Sequence, residues 1–139
     1  MNFIEKDTQT VALVEDEPSH ALLISYNLEL RGIKVSLFES GEQFLNSKQD
    51  PFDLIITNVN HFDVGGLQLY SEIRNKGIET PILFVTTNPS INNYLCSDKA
   101  LELLIKPFSI KELVVKVEHL LNKDLKKTES ERLFNEQKA

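Results

Sequence analysis

The chain has little that would place it outside the cell or in a membrane. It contains one cysteine, Cys96, so no disulfide can form within it. Its first ten residues, MNFIEKDTQT, lack the basic and apolar regions of a secretory signal, and no apolar run is long enough to span a bilayer. These absences predict a cytoplasmic protein that has no membrane partner.

The charge balance also excludes a class of partner. The sequence has 21 acidic residues against 15 basic ones, which gives a formal net charge of -6 at pH 7. Phosphate backbones and anionic lipids attract basic surfaces, so this balance argues against a general surface for either. We therefore expect no direct contact with nucleic acid.

The length of 139 residues suits one ordinary domain with its own core. We predict an N-terminal extension over residues 1–9, one domain over 10–122 and a charged tail over 123–139. Two interpretations of the tail stay open, namely a solvated helix end and the start of a linker helix that joins a larger protein to an output domain. The chain itself leaves no room for a DNA-binding output domain.

Four short runs have the length and composition of β-strands. Apolar residues follow one another in these runs instead of alternating with polar ones, as in parallel strands that are covered on both faces. The runs are TVALVE (10–15), KVSLFE (34–39), DLIIT (53–57) and PILFVTT (81–87). A weaker fifth candidate is ALELLI (100–105).

Segments with helical spacing separate these runs. The first, over 18–31, begins with Pro18 and is followed by Gly32, a typical C-terminal stop. Its larger apolar residues form a broad stripe that we expect to face the sheet, namely Leu22, Leu23, Tyr26, Leu28 and Leu30. Shorter helices are predicted over 41–48 and 66–77, and the segment 89–100 is the weakest candidate because it is polar.

The last helix is predicted over 109–121. Ser109 has Glu112 three residues later, which is a capping-box pattern, and the apolar residues that follow share one face: Ile110, Leu113, Val114, Val117 and Leu121. Strand and helix thus alternate five times. This alternation predicts a parallel sheet with helices on both faces, whose chemistry gathers at the carboxyl ends of the strands.

Polar residues stand at those strand ends. The first strand runs into Glu15, Asp16 and Glu17, whose mutual repulsion a hard cation such as Mg²⁺ would relieve. The same acids could instead complement the positive end of the following helix. A phosphoryl site would use such an acid pair together with a hydroxyl and an ammonium, and Thr86 and Lys106 supply these groups at later strand ends.

Four stretches together resemble the receiver domain of response regulators in two-component signalling. They are VALVEDEP, DLIITNVNHFDVGGLQL, PILFVTT and IKPFSIKEL, and the resemblance extends from about Thr10 to Leu121. It implies a flavodoxin-like (βα)5 fold, a doubly wound three-layer α/β sandwich with strand order 2-1-3-4-5.

The resemblance also implies roles for individual residues. Glu15 and Asp16 match the acid pair that binds Mg²⁺, and Thr86 and Lys106 match the hydroxyl and lysine that contact the phosphoryl group. The backbone carbonyl of Asn60 would be a further metal ligand, and the peptide between Lys106 and Pro107 would be cis. The phosphoacceptor aspartate of the family, itself a metal ligand, falls on Asn58.

An amide at position 58 removes the nucleophile. Asn58 cannot attack a phosphodonor, and the lost negative charge predicts weak or absent Mg²⁺ binding. Asp63, in the loop five residues on, is the alternative acid, although in-line attack requires tight positioning. Asp53 opens the same strand at its opposite end and is too distant to help.

Three further positions depart from the family pattern. Leu103 replaces the aromatic residue whose rotation reports phosphorylation, Thr87 replaces a small residue that gives donors access, and Lys99 stands at a common glycine position. An engineered change from Asp to Asn would explain Asn58 but not Leu103. These departures favour a receiver that no longer switches by phosphorylation.

Our leading hypothesis is a non-enzymatic receiver in a phosphorelay that is not phosphorylated at Asn58. It would bind a protein partner through the face formed by helix 4, strand 5 and helix 5. The alternative is a working phosphoacceptor, with Asp at position 58 in the native protein, that takes phosphate from a histidine kinase or phosphotransfer protein with Mg²⁺. A homodimer is left open, and a nucleotide or flavin binder is disfavoured because no glycine-rich phosphate loop follows the first strand.

Overall fold

The computed structural model describes residues 8–47, 51–58, 64–87 and 98–122, and for 64–66 the backbone alone. Five strands are present: β1 (Thr10–Val14), β2 (Lys34–Phe38), β3 (Leu54–Asn58), β4 (Ile82–Thr86) and β5 (Leu101–Ile105). The helices that precede β5 in the described residues are α1 (Pro18–Glu29), α2 (Gly41–Asn46) and α3 (Val64–Asn75). Residues 110–122 form a further helix, which we call the C-terminal helix. Most of the predicted helix over 89–100 lies outside the described residues.

The five strands form one sheet in the order β2-β1-β3-β4-β5, and all neighbouring pairs are parallel. This confirms the predicted doubly wound fold. Gly32 and Gly77 both have φ of 80°, a conformation that favours glycine, and they follow the ends of α1 and α3 as the sequence predicted.

Two apolar clusters cover the two faces of the sheet, which is why the strands are apolar on successive residues. The first packs the sheet against α1 and the C-terminal helix, and it includes Val11, Leu13, Ile56, Leu83, Val85 and Leu113. The second lies on the opposite face, toward α2 and α3, and it includes Ala12, Val14, Ile55, Phe84, Phe44 and Ile73. Alternate residues of each strand thus enter different clusters.

The face of α1 that packs on the sheet differs from the prediction. Of the five residues in the predicted stripe only Leu28 is buried, and its companions on the buried face are Ala21, Ile24 and Ser25. These four residues follow the spacing i, i+3, i+4, i+7, which defines one side of a helix. The prediction weighted the larger side chains, but the smaller ones allow the helix to approach the sheet closely. The prediction was therefore wrong for Leu22, Leu23, Tyr26 and Leu30, which are exposed.

Shortening Leu28 should destabilise the fold far more than shortening Leu22. Leu28→Ala leaves a cavity in the first cluster, where the side chain is fully buried, and should lower the free energy of unfolding by about 2–5 kcal/mol. Leu22→Ala, at a position that is 68% exposed, should change it by no more than about 0.5 kcal/mol. Urea denaturation in dilute solution measures both values. Equal losses for the two variants would contradict the observed orientation of α1.

The shared apolar face predicted for the last helix is confirmed, and α3 also packs an apolar face against the sheet. In α3, Leu69 and Ile73 are buried and Tyr70 is half-buried, and in the C-terminal helix Leu113, Val114, Val117 and Leu121 are buried. The capping box is also present. Ser109 Oγ accepts a hydrogen bond from the backbone N–H of Glu112 at 3.1 Å, and Glu112 Oε1 accepts one from the backbone N–H of Ser109 at 3.2 Å.

A polar cluster secures the amino edge of the sheet, opposite the predicted site. Asp98 Oδ2 accepts hydrogen bonds from the Tyr70 hydroxyl at 2.7 Å and from Arg74 Nε at 2.8 Å, and Asp98 Oδ1 accepts one from the backbone N–H of Ala100 at 2.9 Å. Arg74 also donates to the backbone carbonyls of Ile78 and Thr80. The cluster thus ties α3 to the segments that enter β4 and β5.

Asp98→Asn should destabilise the fold by about 1–3 kcal/mol at neutral pH, because a half-buried arginine loses its charged partner. Burial by itself raises the pKa of Asp98, but the hydrogen bonds from Arg74, Tyr70 and Ala100 outweigh it and hold that pKa below its ordinary value. A carboxyl with a lowered pKa stabilises the fold above its unfolded pKa, about 3.9, and this contribution is lost as the pH falls through the folded value. Urea denaturation of both chains at pH 7 and pH 3 should therefore show the difference shrinking at the lower pH. An equal difference at both values would contradict the assignment.

Candidate functional site

The predicted site residues come together at the carboxyl edge of the sheet. Glu15 and Asp16 directly follow β1, Asn58 and Thr86 are the last residues of β3 and β4, and Lys106 directly follows β5. Because all five strands are parallel, these ends lie at the same edge. Asn60, the predicted carbonyl ligand, and Asp63, the alternative acid, lie outside the described residues.

Asn58 contacts Glu15 directly. Its side-chain nitrogen Nδ2 donates a hydrogen bond to Glu15 Oε1, and the backbone N–H of Glu17 donates to Glu15 Oε2 at 2.9 Å. Glu15 is 5% exposed, so its carboxylate needs such partners to be buried at low cost. An aspartate at position 58 could not donate this hydrogen bond when ionised, and it would repel Glu15. The Asn58 amide therefore stabilises the Glu15 carboxylate. With aspartate at position 58, a cation would have to balance that carboxylate instead.

The same residues fit a magnesium ion in part. Oδ1 of Asn58 is buried and has no hydrogen-bond partner within the described part of the chain, so it is a carbonyl-type oxygen available to a hard cation. Glu15 Oε1, which accepts the hydrogen bond from the same amide, is a carboxylate oxygen next to it, and Asp16 supplies a second carboxylate at the next position of the chain. The described residues contain no group of three His, Cys, Asp or Glu side chains placed to hold a metal. The oxygen donors are thus of the type that Mg²⁺ prefers, but they carry one negative charge fewer than they would with aspartate at position 58.

Thr86 and Lys106 are held next to each other by the backbone. The N–H of Lys106 donates to the carbonyl of Thr86 at 2.8 Å, and the Lys106–Pro107 peptide is cis, as the resemblance implied. Thr86 is fully buried, whereas Lys106 is half-buried. Both residues make polar interactions, so neither is a detached surface group.

A cavity of about 510 Å³ opens beside Asn58, between α1 and the start of the C-terminal helix. Its walls are mostly apolar, with Leu23, Ile24 and Phe108 among them, and its polar groups include Lys106 and Thr87. Thr87 is exposed and lines this cavity. The site therefore has a mainly apolar approach on the α1 side.

His20 also lies at this site, although no role was predicted for it. Its Nδ1 atom lies 4.0 Å from Glu15 Oε1, and the side chain lines the cavity. Its position in the first turn of α1, directly after the acidic loop, is a signal that could have placed it there.

The remaining positions are consistent with their predicted places. Asp53 lies at the amino edge, where its Oδ2 accepts a hydrogen bond from the backbone N–H of Thr10 at 2.8 Å, so it is remote from Asn58. Leu103, in β5, is half-buried and packs against the second cluster. Lys99 is exposed in the turn before β5.

Within the described residues no helix is long and apolar enough to cross a membrane.

Comparison with known proteins identifies one family. The sequence model described as the response regulator receiver domain matches residues 11–118. The transcriptional regulatory protein PcoR of Escherichia coli is 34% identical over 121 residues, which are 83% of this chain and 52% of PcoR. The chain spans about half the length of two curated regulators that it matches, PcoR and TrcR of Mycobacterium tuberculosis.

Solved structures agree with this assignment. The chemotaxis response regulator CheY4 of Vibrio cholerae is 25% identical with a TM-score of 0.71, over 81% of this chain and 98% of that one. The response regulator TrrA of Thermotoga maritima, solved in complex with Mg²⁺-BeF, is 29% identical with a TM-score of 0.69, over 81% and 99% of the two chains. Both likenesses extend over most of the described fold.

Proposed function

The chain belongs to the response regulator receiver domains of two-component systems, and we propose that it is a member that signals without accepting a phosphoryl group at Asn58. It acts by binding another protein and catalyses no reaction of its own. Receiver domains interact with histidine kinases and other proteins, so a kinase or a phosphotransfer protein is a candidate partner.

One observation carries this proposal, namely the hydrogen bond from Asn58 to the buried Glu15. The nitrogen that replaces a carboxylate oxygen is a donor whose lone pair is delocalised into the carbonyl, and a neutral amide is too weak a nucleophile to attack phosphorus, so the nucleophile is absent. This hydrogen bond also stabilises the Glu15 carboxylate, whose negative charge Mg²⁺ would otherwise balance. Magnesium, held by Glu15, Asp16, Asn58 and Asn60, would thus bind weakly and would be dispensable for the interaction.

The proposed contact surface is the face of β5 and the C-terminal helix, together with the fourth helix expected from the sequence. β5 is an edge strand, and Ile105 and Val115 are exposed on this side by 38% and 56%. Glu102 on β5 forms an ion pair with Lys116 of the C-terminal helix at 3.3 Å, and its Oε2 lies 3.4 Å from Nε2 of His119 on the same helix. Exposed apolar side chains beside a polar rim are typical of a protein-binding surface.

Partner capture should survive the loss of the site and depend on this face. A chain that carries both Asp16→Ala and Lys106→Ala should capture the same proteins from a lysate of the source organism as the chain with the natural sequence does. Val115→Glu should reduce the recovered amount at least about tenfold, since a charge enters the apolar part of the surface. Leu37→Glu, at a residue that is 52% exposed on the opposite edge strand, is the matched control. Loss of capture by the folded double variant would contradict the proposal.

A second function is a candidate because the other residues that the resemblance assigns to a phosphoryl site are present. Glu15, Asp16, Thr86 and Lys106 stand at the carboxyl ends of strands, which supports this assignment. A protein with aspartate at position 58 could take a phosphoryl group from a histidine kinase with Mg²⁺. The Asn58→Asp variant considered in the Discussion separates the two functions.

A further inference from the structure

Helix α1 has a second apolar face that nothing in the described chain covers. Four large side chains point away from the core, and their exposed fractions are 68% for Leu22, 48% for Leu23, 59% for Tyr26 and 64% for Leu30. We call these four residues the outer stripe. At about 100° per residue they fall within an arc of about 100°, on the side of α1 opposite to Ala21, Ile24 and Leu28.

The outer stripe is not interrupted by charge. Between Pro18 and Leu28 the helix contains no acidic or basic residue other than His20. An ordinary surface helix would place lysine or glutamate on this side. Contiguous apolar patches of this kind on a folded domain mark an interaction site.

The charges lie at the two ends of the helix and have opposite signs. Asp16 and Glu17 are exposed at the amino end. Arg31 and Lys34 are exposed beyond the carboxyl end, and together they outweigh the nearby Glu29. A second α1 that runs antiparallel to the first would therefore bring acidic ends to basic ends. A parallel arrangement would bring like charges together.

We propose that the outer stripe binds a second copy of this chain, with the two α1 helices antiparallel about a two-fold axis. Such an interface is isologous, so each stripe residue contributes twice. Tyr26 is midway between Leu22 and Leu30, so the axis passes near Tyr26 and each Leu22 faces the other copy's Leu30. Tyrosine at the centre of an interface is a common source of binding energy.

This interface is separate from the proposed partner surface. α1 packs against β2, the edge strand at one end of the sheet, whereas β5 is the edge strand at the other end. The dimer thus leaves the face of β5 and the C-terminal helix accessible. Leu23 also lines the cavity beside Asn58, so the second copy would cover part of that approach.

The oligomeric state tests the inference. Sedimentation velocity of the full chain over a range of concentrations should show a monomer–dimer equilibrium, and Tyr26→Asp should raise its dissociation constant at least about 30-fold. Val115→Asp, which exposes a charge at a similarly exposed apolar residue of the C-terminal helix, should leave it unchanged. A chain that is monomeric at every concentration would overturn the inference and assign the stripe to the 123–139 segment or to a different protein.

Disulfide cross-linking tests the antiparallel arrangement, in chains whose natural cysteine is removed by Cys96→Ser. Tyr26→Cys should form a covalent dimer on oxidation because it lies at the axis, within the short Cα separation that a disulfide needs. Leu22→Cys should not, because eight residues of helix, about 12 Å, separate it from its own counterpart in the other copy. Efficient cross-linking of both variants indicates parallel helices, and cross-linking of neither indicates another surface, so either result would overturn the proposal.

Discussion

Replacing Asn58 with aspartate should turn the chain into a phosphoacceptor. A carboxylate oxygen at this position would attack the phosphorus of acetyl phosphate, forming an acyl phosphate as the bond to the acetate oxygen breaks and acetate leaves. Lys106 and Thr86 stand at the adjacent strand ends, where they can contact the phosphoryl oxygens. The intact mass of Asn58→Asp after incubation with acetyl phosphate and Mg²⁺ should increase by one phosphoryl group in a large fraction of molecules.

Two controls define the role of the rest of the site. Adding Lys106→Ala to the Asn58→Asp chain should lower the rate of phosphorylation by about a hundredfold or more, as loss of a charge-stabilising donor does in enzymes. Asp53→Asn should leave the rate unchanged, because Asp53 lies at the amino edge of the sheet. If Asn58→Asp folds normally and gains no phosphoryl group, the pocket has lost more than its nucleophile.

The same substitution should raise the affinity for Mg²⁺ at least about tenfold, which corresponds to about 1.4 kcal/mol. Asn58→Asp removes the N–H that now donates to Glu15 and adds a negative charge beside it. Two ionised carboxylates in contact repel each other, and a divalent cation that binds both replaces this repulsion with attraction. Near a protein surface, two unit charges about 4 Å apart interact by about 4 kcal/mol. Isothermal titration calorimetry with Mg²⁺ would measure both chains.

Asp16→Asn provides the opposite comparison for the metal. It removes a second negative charge from the expected ligand set. It should therefore abolish measurable Mg²⁺ binding in the natural chain and lower the Mg²⁺ affinity of the Asn58→Asp chain. Equal affinities in the natural chain and Asn58→Asp would mean that the amide does not limit the metal, and the electrostatic argument from Glu15 would then be wrong.

The sheet was largely predictable because the amino-acid composition of its strands reflects how they are buried. β1, β3 and β4 are apolar on successive residues since both of their faces are covered, and turn residues end them sharply. The strand order came from the family resemblance, not from periodicity. Glu15, Asn58, Thr86 and Lys106 were located at one edge because parallel strands must bring their carboxyl ends together.

The orientation of α1 was not predictable in the same way. The helix has two apolar sides, so periodicity alone cannot say which one packs on the sheet. The buried side holds Ala21, Ile24 and Leu28, and the exposed side holds residues of equal or greater bulk. Close packing against the sheet selected the smaller set, which is a tertiary effect that no local pattern contains.

The contacts within the site were also beyond the sequence. The residue types predicted a metal-binding acid pair and a missing nucleophile, but not that the Asn58 amide would donate to Glu15. That bond depends on the alignment of β1 beside β3, in which Val14 pairs with Thr57. The proximity of His20 to Glu15 depends likewise on the angle at which α1 leaves the acidic loop.

The intact mass of the natural chain after incubation with Mg²⁺ and acetyl phosphate is the most direct test of a receiver that signals without phosphorylation. The Asn58→Asp chain, treated in parallel, shows that the reagent and the fold are competent. We expect the mass of the natural chain to stay unchanged while that of the variant increases. A phosphoryl group on the natural chain would contradict this account, and peptide mapping would then begin at Asp63.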